Sequence, residues 1–170
     1  MLIQPRPFDH PDAVKLNVRV QLEYAALYGD GGDITPLDPT MFDPPHGLYL
    51  LAYDEQDRPV ATGGWRSQER NDEGYSDGDA EIKRMFVIPE GRGRGLARRI
   101  LAALEADARA AGRTRMVLET GDRQPEAIAL YASSGYTRCD KFGHYRTYDS
   151  SVCMAKPLAV PAPGPARGSA

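Results

Sequence analysis

Residues 81–101 read Glu81-Ile82-Lys83-Arg84-Met85-Phe86-Val87-Ile88-Pro89-Glu90-Gly91-Arg92-Gly93-Arg94-Gly95-Leu96-Ala97-Arg98-Arg99-Ile100-Leu101, and this stretch decides the fold. Ala80 to Ile88 supplies strand bulk through Ile82, Met85, Phe86, Val87 and Ile88. Glycines 91, 93 and 95 then form a turn, and a helix runs from Arg94 to Ala111, with Leu96, Ile100, Leu104 and Ala108 as its buried stripe. Glycines let a backbone approach a ligand closely. The N–H groups and dipole of a helix start favour an anion, and Arg92 and Arg94 add positive charge. The unit has the physics of a pyrophosphate cradle. By itself it also fits a plain tight turn. The stretch fits a nucleotide P-loop poorly because Gly-Lys-[Ser/Thr] is missing, and the dinucleotide fingerprint fails because Arg98 stands where its third glycine or alanine belongs.

Upstream, Leu2–Arg6 reads as a strand and Pro11–Tyr28 as an amphipathic helix, with Leu16, Val20, Tyr24 and Leu27 on one face. Residues 29–46 form a long loop, and Leu48–Tyr53 and Pro59–Arg66 a β-hairpin around Asp54-Glu55-Gln56-Asp57. Ser67–Asp79 is a second polar loop. Downstream come a strand (Met116–Thr120), a helix (Pro125–Ser134) and closing strands (Tyr136–Asp140 and Ser150–Lys156). Residues 1–157 are expected to form one α+β domain; residues 158–170, rich in Ala, Pro and Gly, are expected to be a disordered tail.

Composition narrows the function. With 170 residues, 41% hydrophobic and 26% charged, the chain suits one globular domain. A net charge of −3 gives no footprint for nucleic acid, and no apolar run is long enough for a membrane span. Two cysteines, Cys139 and Cys153, make neither a disulfide framework nor a zinc site, and three scattered histidines argue against a metal. With no targeting segment legible, a reducing, cytoplasmic setting is expected.

Arg92-x-x-Gly95-x-Ala97 resembles the [Gln/Arg]-x-x-Gly-x-[Gly/Ala] signature of the GNAT acetyltransferases. Glu81–Val87 resembles that family's fourth strand, and Gln124-Pro125-Glu126-Ala127-Ile128-Ala129-Leu130-Tyr131, with Gly135-Tyr136, its late Asn-x-x-Ala-x-x-Leu-Tyr segment. The resemblance is sharp from Ala80 to Lys156 and topological before that. It implies a mixed, mostly antiparallel sheet flanked by helices in three layers, with acetyl-CoA as co-substrate and no metal. The backbone of Met85, Phe86 and Val87 would pair with the pantetheine arm. Amides of Arg92, Gly93, Arg94, Gly95, Leu96 and Ala97 would hold the pyrophosphate. Gln124 stands where the family often has Asn, with a different reach.

The implied chemistry is attack of an amine on a thioester, which needs a base because alkyl amines are protonated at neutral pH. Glu81 is the first candidate by its position in the family pattern; Glu119 on the next strand is its rival, an ordered water could serve in either case, and a solvated glutamate or a structural ion pair with Lys83 or Arg84 is the alternative for Glu81. Tyr131 is the expected acid for the departing thiolate, with a core aromatic as the alternative. Cys139 and Cys153 have no His arrangement that would make a nucleophile. Trp65 and His144 could line an acceptor pocket, but a core tryptophan and a surface histidine are the plainer readings. The loops at 29–46 and 67–79 carry Asp30, Asp33, Asp38, Asp43, Glu69, Asp72, Glu73, Asp77 and Asp79. If they face the pocket, a cationic small-molecule amine is favoured. A protein N-terminus or lysine as acceptor, and a non-catalytic acyl-CoA-binding module, remain the competing functions. A homodimer is common in such families, though no interface stripe is legible.

Overall fold

In the computed structural model, residues 1–29 and 31–159 are described. Period-two and helical patterns resolve into β1 (Leu2–Pro5), α1 (Pro11–Tyr28), β2 (Gly47–Tyr53), β3 (Pro59–Gln68), β4 (Asp79–Val87), α2 (Leu96–Ala110), β5 (Arg115–Gly121), α3 (Pro125–Ser133), β6 (Thr137–Arg138) and β7 (Ser151–Pro157). Seven strands form one sheet in the order β1-β2-β3-β4-β5-β7-β6. Every pairing is antiparallel except β4 with β5. This is a single-domain α+β fold.

Alternation along β3 separates the two faces. A Cβ on Gly63 would meet Met85 of β4 and Ile100 of α2, whereas one on Gly64 would meet Tyr49 and Phe42. Tyr49 accepts a hydrogen bond from Asn17 of α1. Trp65, fully buried on the Gly63 face, donates its indole N–H to Asp107 of α2 at 2.9 Å. The tryptophan is therefore core. Helix α3 lies on the α2 side, where Tyr136 just after it donates to Glu105 of α2 and Arg98 of α2 donates to Ser133. The layers are α1, sheet, then α2 with α3.

The α2 stripe behaves as its spacing predicts: Leu96, Ile100, Leu104 and Ala108 are buried, with Leu101 beside them. Cutting Leu104 to Ala would cost about 2–5 kcal/mol through lost contact and a residual cavity.

Three local readings change. The loop after α1 contains a 3-10 turn at Pro39–Phe42, anchored by Phe42, which stacks on Phe8 and meets Tyr49 edge-on. Strand β6 shrinks to two residues because only Thr137 and Arg138 find register with β7. Leu158, placed by the sequence in the tail, is buried, and its amide bonds to Thr114. The rest of the expected tail, from residue 160, lies outside the described residues, as does Asp30.

Candidate active site

The site begins with a defect in the sheet. Strands β4 and β5 pair only through Asp79–Arg115, Ala80–Met116 and Glu81–Val117. Beyond Glu81 they part. On its other side β4 stays paired to β3, but with one extra residue: Thr62 opposes Phe86 while Gly64 opposes Lys83. Within that bulge Arg84 has φ 61, a left-handed conformation uncommon for a residue other than glycine. The extra residue puts consecutive side chains on one face. Lys83 lies 3.0 Å from an Asp33 carboxylate oxygen, and Arg84 3.8 Å from the same oxygen. Asp33 comes from the loop after α1. Burial works to raise its carboxyl, but Lys83, hydrogen bonds from Thr35 and Arg84 outweigh it and hold the group well below the usual range.

A cavity of about 340 Å³ occupies the gap. Tyr24, Tyr28 and Asp33 line it from the α1 side, Ile82 to Met85 and Leu118 to Gly121 from the parted strands, and Gln124, Ala127 and Tyr131 from α3. It therefore connects the two outer layers through the sheet. Tyr24 of α1 is raised by burial and, next, by the nearby Tyr131 of the opposite layer.

Of the sequence-predicted catalytic pair, Tyr131 lines this cavity and Glu81 does not. The Glu81 carboxylate is buried on the closed side of the split. Arg66 Nε donates to it at 2.7 Å, Gln68 Nε2 at 3.2 Å and the Tyr75 hydroxyl at 2.7 Å. The partner is Arg66, not Lys83 or Arg84. Glu119 takes the other position. Alternation sets it on the face of Val117, which packs with Tyr75 and Phe142 on the α1 side. It lines the cavity, and its carboxyl is pushed up to about 7, chiefly by burial, against the pull of Ser151 and Lys83.

Tyr131 is buried, and its ring meets Tyr136 edge-on. Burial raises its hydroxyl, keeping it protonated. Among the described residues no group hydrogen-bonds to that hydroxyl. Gln124, at the start of α3, turns its carbonyl oxygen to the Thr120 hydroxyl and the Gly121 amide, at 2.9 and 3.2 Å. Its side chain thus closes the β5–α3 turn while lining the cavity.

The glycine loop lies at the end of β4 where the strands have parted. Gly93 and Gly95 have φ of 81 and 73, and a Cβ on either would touch nothing within 4 Å. Their requirement is backbone conformation, and the space above them is open. Gly95 is the N-cap of α2 and brings no capping side chain, so no N-cap side chain satisfies the first-turn amides, a kind of site where anions bind in other proteins. Arg92 turns back, donating to the Val87 carbonyl at 3.0 Å and lying 3.3 Å from Glu23; Arg94 is exposed. None of Arg92 to Ala97 lines the cavity itself; Met85 does, while Phe86 and Val87 do not. Beyond Glu81 the β5-facing edge of β4 has no strand partner. A glycine cradle, an uncapped helix and an open strand edge fit a coenzyme A molecule, whose pyrophosphate and amide-bearing arm need those groups.

Sequence reasoning missed Tyr24, Tyr145 and the side chains of Lys83 and Arg84 as site residues, and named Asp33 only as one of the loop acids that would face a pocket. Tyr145 was within reach through its neighbour: His144 is exposed and off the cavity, while Tyr145 lines it and accepts from the Ile34 amide at 2.7 Å. Among the described residues no group of three His, Cys, Asp or Glu could hold a metal, and no helix is long and apolar enough to cross a membrane.

Sheet order, split strand pair and glycine loop together are those of an acyltransferase. The chain belongs to the Acetyltransferase (GNAT) family, whose sequence profile matches residues 18–136. It is similar to the IAA acetyltransferase of Azospirillum brasilense, 46% identical over 81 residues; these cover 48% of this chain and about half (53%) of that protein. A solved acyl-CoA N-acyltransferase assigned in Klebsiella pneumoniae is 30% identical, with a TM-score of 0.76, covering 93% of this chain and 97% of the other. An aminoglycoside 6'-N-acetyltransferase solved with coenzyme A shares the fold at 17% identity, with a TM-score of 0.67 over 96% and 99% of the chains.

Proposed function

We propose that the protein transfers an acetyl group from acetyl-CoA to a primary amine of a small molecule, by direct attack in a ternary complex, with Glu119 as base and Tyr131 as acid. The carrying observation is the pair of groups that meet the gap from opposite layers. Glu119, pushed to about 7, stands on the α1 face, and a buried, protonated Tyr131 stands on the α3 side. A carboxylate titrating near neutrality can take a proton from an incoming ammonium and still lose it again. Acetyl-CoA supplies an activated thioester; its pyrophosphate would lie on the amides from Arg92 to Ala97 and its arm along Met85, Phe86 and Val87.

Glu119 replaces Glu81 in this reading because Glu81 has three donors and no access to the cavity. The bulged backbone around Arg84 and Met85 lies where β4 has lost its β5 partner, and a free amide there would stabilise negative charge developing on the thioester carbonyl. Tyr131, whose hydroxyl has no hydrogen-bond partner among the described residues, can deliver its proton to a departing thiolate. The cavity's size supports a small acceptor over a peptide. Two unbridged cysteines suit a reducing, cytoplasmic compartment.

Thiol release from acetyl-CoA across a panel of amines and peptides tests the reading, with Glu119→Gln, Glu81→Gln and Tyr131→Phe beside the wild type. Turnover on an amine class, abolished mainly in kcat by Glu119→Gln, is expected. Coenzyme A binding without turnover on any amine or peptide would point to a binding module instead.

A further inference from the structure

Given an amine-acetylating site, the charge on its acceptor face goes further and narrows the substrate. The two acidic loops do not supply a negative pocket. Glu69 pairs with Arg113, Asp77 accepts from the Arg70 amide, and Asp79 pairs with Arg115. Asp38 caps its own 3-10 turn. Of all these acidic residues described, only Asp33 lines the cavity, and it is held by Lys83 and Arg84.

The cations are in surplus. Lys83, Arg84 and Arg123 line the cavity against Asp33 and Glu119. Arg84 is the clearest sign. Its side chain is 7% exposed, and its Nε and Nη1 have no hydrogen-bond partner among the described residues. A buried guanidinium left short of acceptors is costly, and a complementary anion removes the cost. Arg123, exposed at the rim, donates to the Leu27 carbonyl at 2.8 Å and has no carboxylate within ion-pair distance among the described residues. Once Glu119 has taken the amine's proton, the face holds Asp33 as its one remaining carboxylate against three cations.

We propose that the acceptor is an amine that also carries a carboxylate, of amino-acid size, whose anionic end is held on the Lys83, Arg84 and Arg123 side while its amine faces Glu119. A polycation would put its second charge against those same three side chains. The bulge at Arg84 is what sets this preference, since it turns Lys83 and Arg84 to one face.

The test uses the wild-type protein and matched substrate triplets: an amino acid, its decarboxylated amine and its carboxamide, with rates referred to the free-base amine. The carboxylated member is expected to lead by about tenfold or more in kcat/KM, as charge-assisted hydrogen bonds allow, with the carboxamide tracking the decarboxylated amine. Arg123→Gln should raise KM for the carboxylated member and pull the triplet ratio toward one, and Arg123→Lys should restore it. Equal rates, or a lead for the decarboxylated amine, overturn the inference and leave acetyl transfer standing. Absence of turnover on every amine overturns both.

Discussion

At the closed end of the β4/β5 pair, Glu81 lies under three donors, with the Arg66 guanidinium 2.7 Å away. At the open end, Glu119 is half-buried against the cavity with no guanidinium in ion-pair distance among the described residues, and its carboxyl is pushed up to about 7. Both carboxylates sit on the same face of neighbouring strands. The difference is where the strands stop pairing. Burial with matched donors makes a carboxylate a structural part; burial without them leaves its proton in play. In this sheet, chemistry begins where the hydrogen-bond ladder ends.

The sharpest way to break that contrast is to remove the two acids in turn. Glu119→Gln is expected to lower kcat by about 10²–10⁴-fold, the range for losing a general base, while the fold persists; initial-rate thiol release and circular dichroism check it. If Glu81→Gln produced that loss instead, the contrast would be inverted. For Glu81→Gln the expected damage is to stability, about 3 kcal/mol, because Arg66 is left as a buried charge without its counter-ion. Urea unfolding measures it, with kcat held near the wild-type value.

Tyr131→Phe should reduce kcat by about 10²-fold with little change in the acetyl-CoA KM, since only a proton donor is removed. Acidity sharpens the comparison further. A kcat/KM profile limited by Glu119 rises through pH of about 7 and loses that limb in Glu119→Gln. The same shift predicts a stability signature. The folded carboxyl holds its proton more tightly than the unfolded one, so its stabilising contribution is present below about 4.5 and lost as pH rises through about 7. Wild type should therefore fall behind Glu119→Gln by about 2–3 kcal/mol between those limits, which thermal melts across pH would show. Smallest of all, Gly95→Ala puts a Cβ on a left-handed residue for about 1–2 kcal/mol. Isothermal titration should show weakened coenzyme A binding with the cavity chemistry unaltered.

Much of the fold around the glycine loop was legible because its signals are local. The α2 stripe and the glycines before it lie within one strand–turn–helix unit, and spacing places them; Tyr131, in the separate helix α3, was singled out by the family's Leu-Tyr segment. The acceptor side resisted for a physical reason. Asp33 reaches Lys83 across 50 residues, Tyr145 reaches Ile34 across 111, and neither contact leaves a periodic trace. Choosing between Glu81 and Glu119 required knowing that β4 and β5 part after Glu81. That parting comes with an extra residue at Arg84, a residue type with no preference for the conformation it adopts. The acidic loops misled because composition reports charge but not its partner: Arg113 and Arg115 neutralise Glu69 and Asp79 from the far side of α2 in the chain.

The three-rung pairing of β4 with β5 also has a mechanical side. Strands β1 to β4 form one plate and β5 to β7 another, and the plates share only those three residue pairs along the sheet. Such a seam is a weak line through the middle of the sheet under load. A force applied across it meets few hydrogen bonds at once, whereas the seven-pair ladder of β5 with β7 resists as a block. A ligand arm laid along the free edge of β4 acts as a splice across the seam, so the loaded protein should bear a larger rupture force than the empty one.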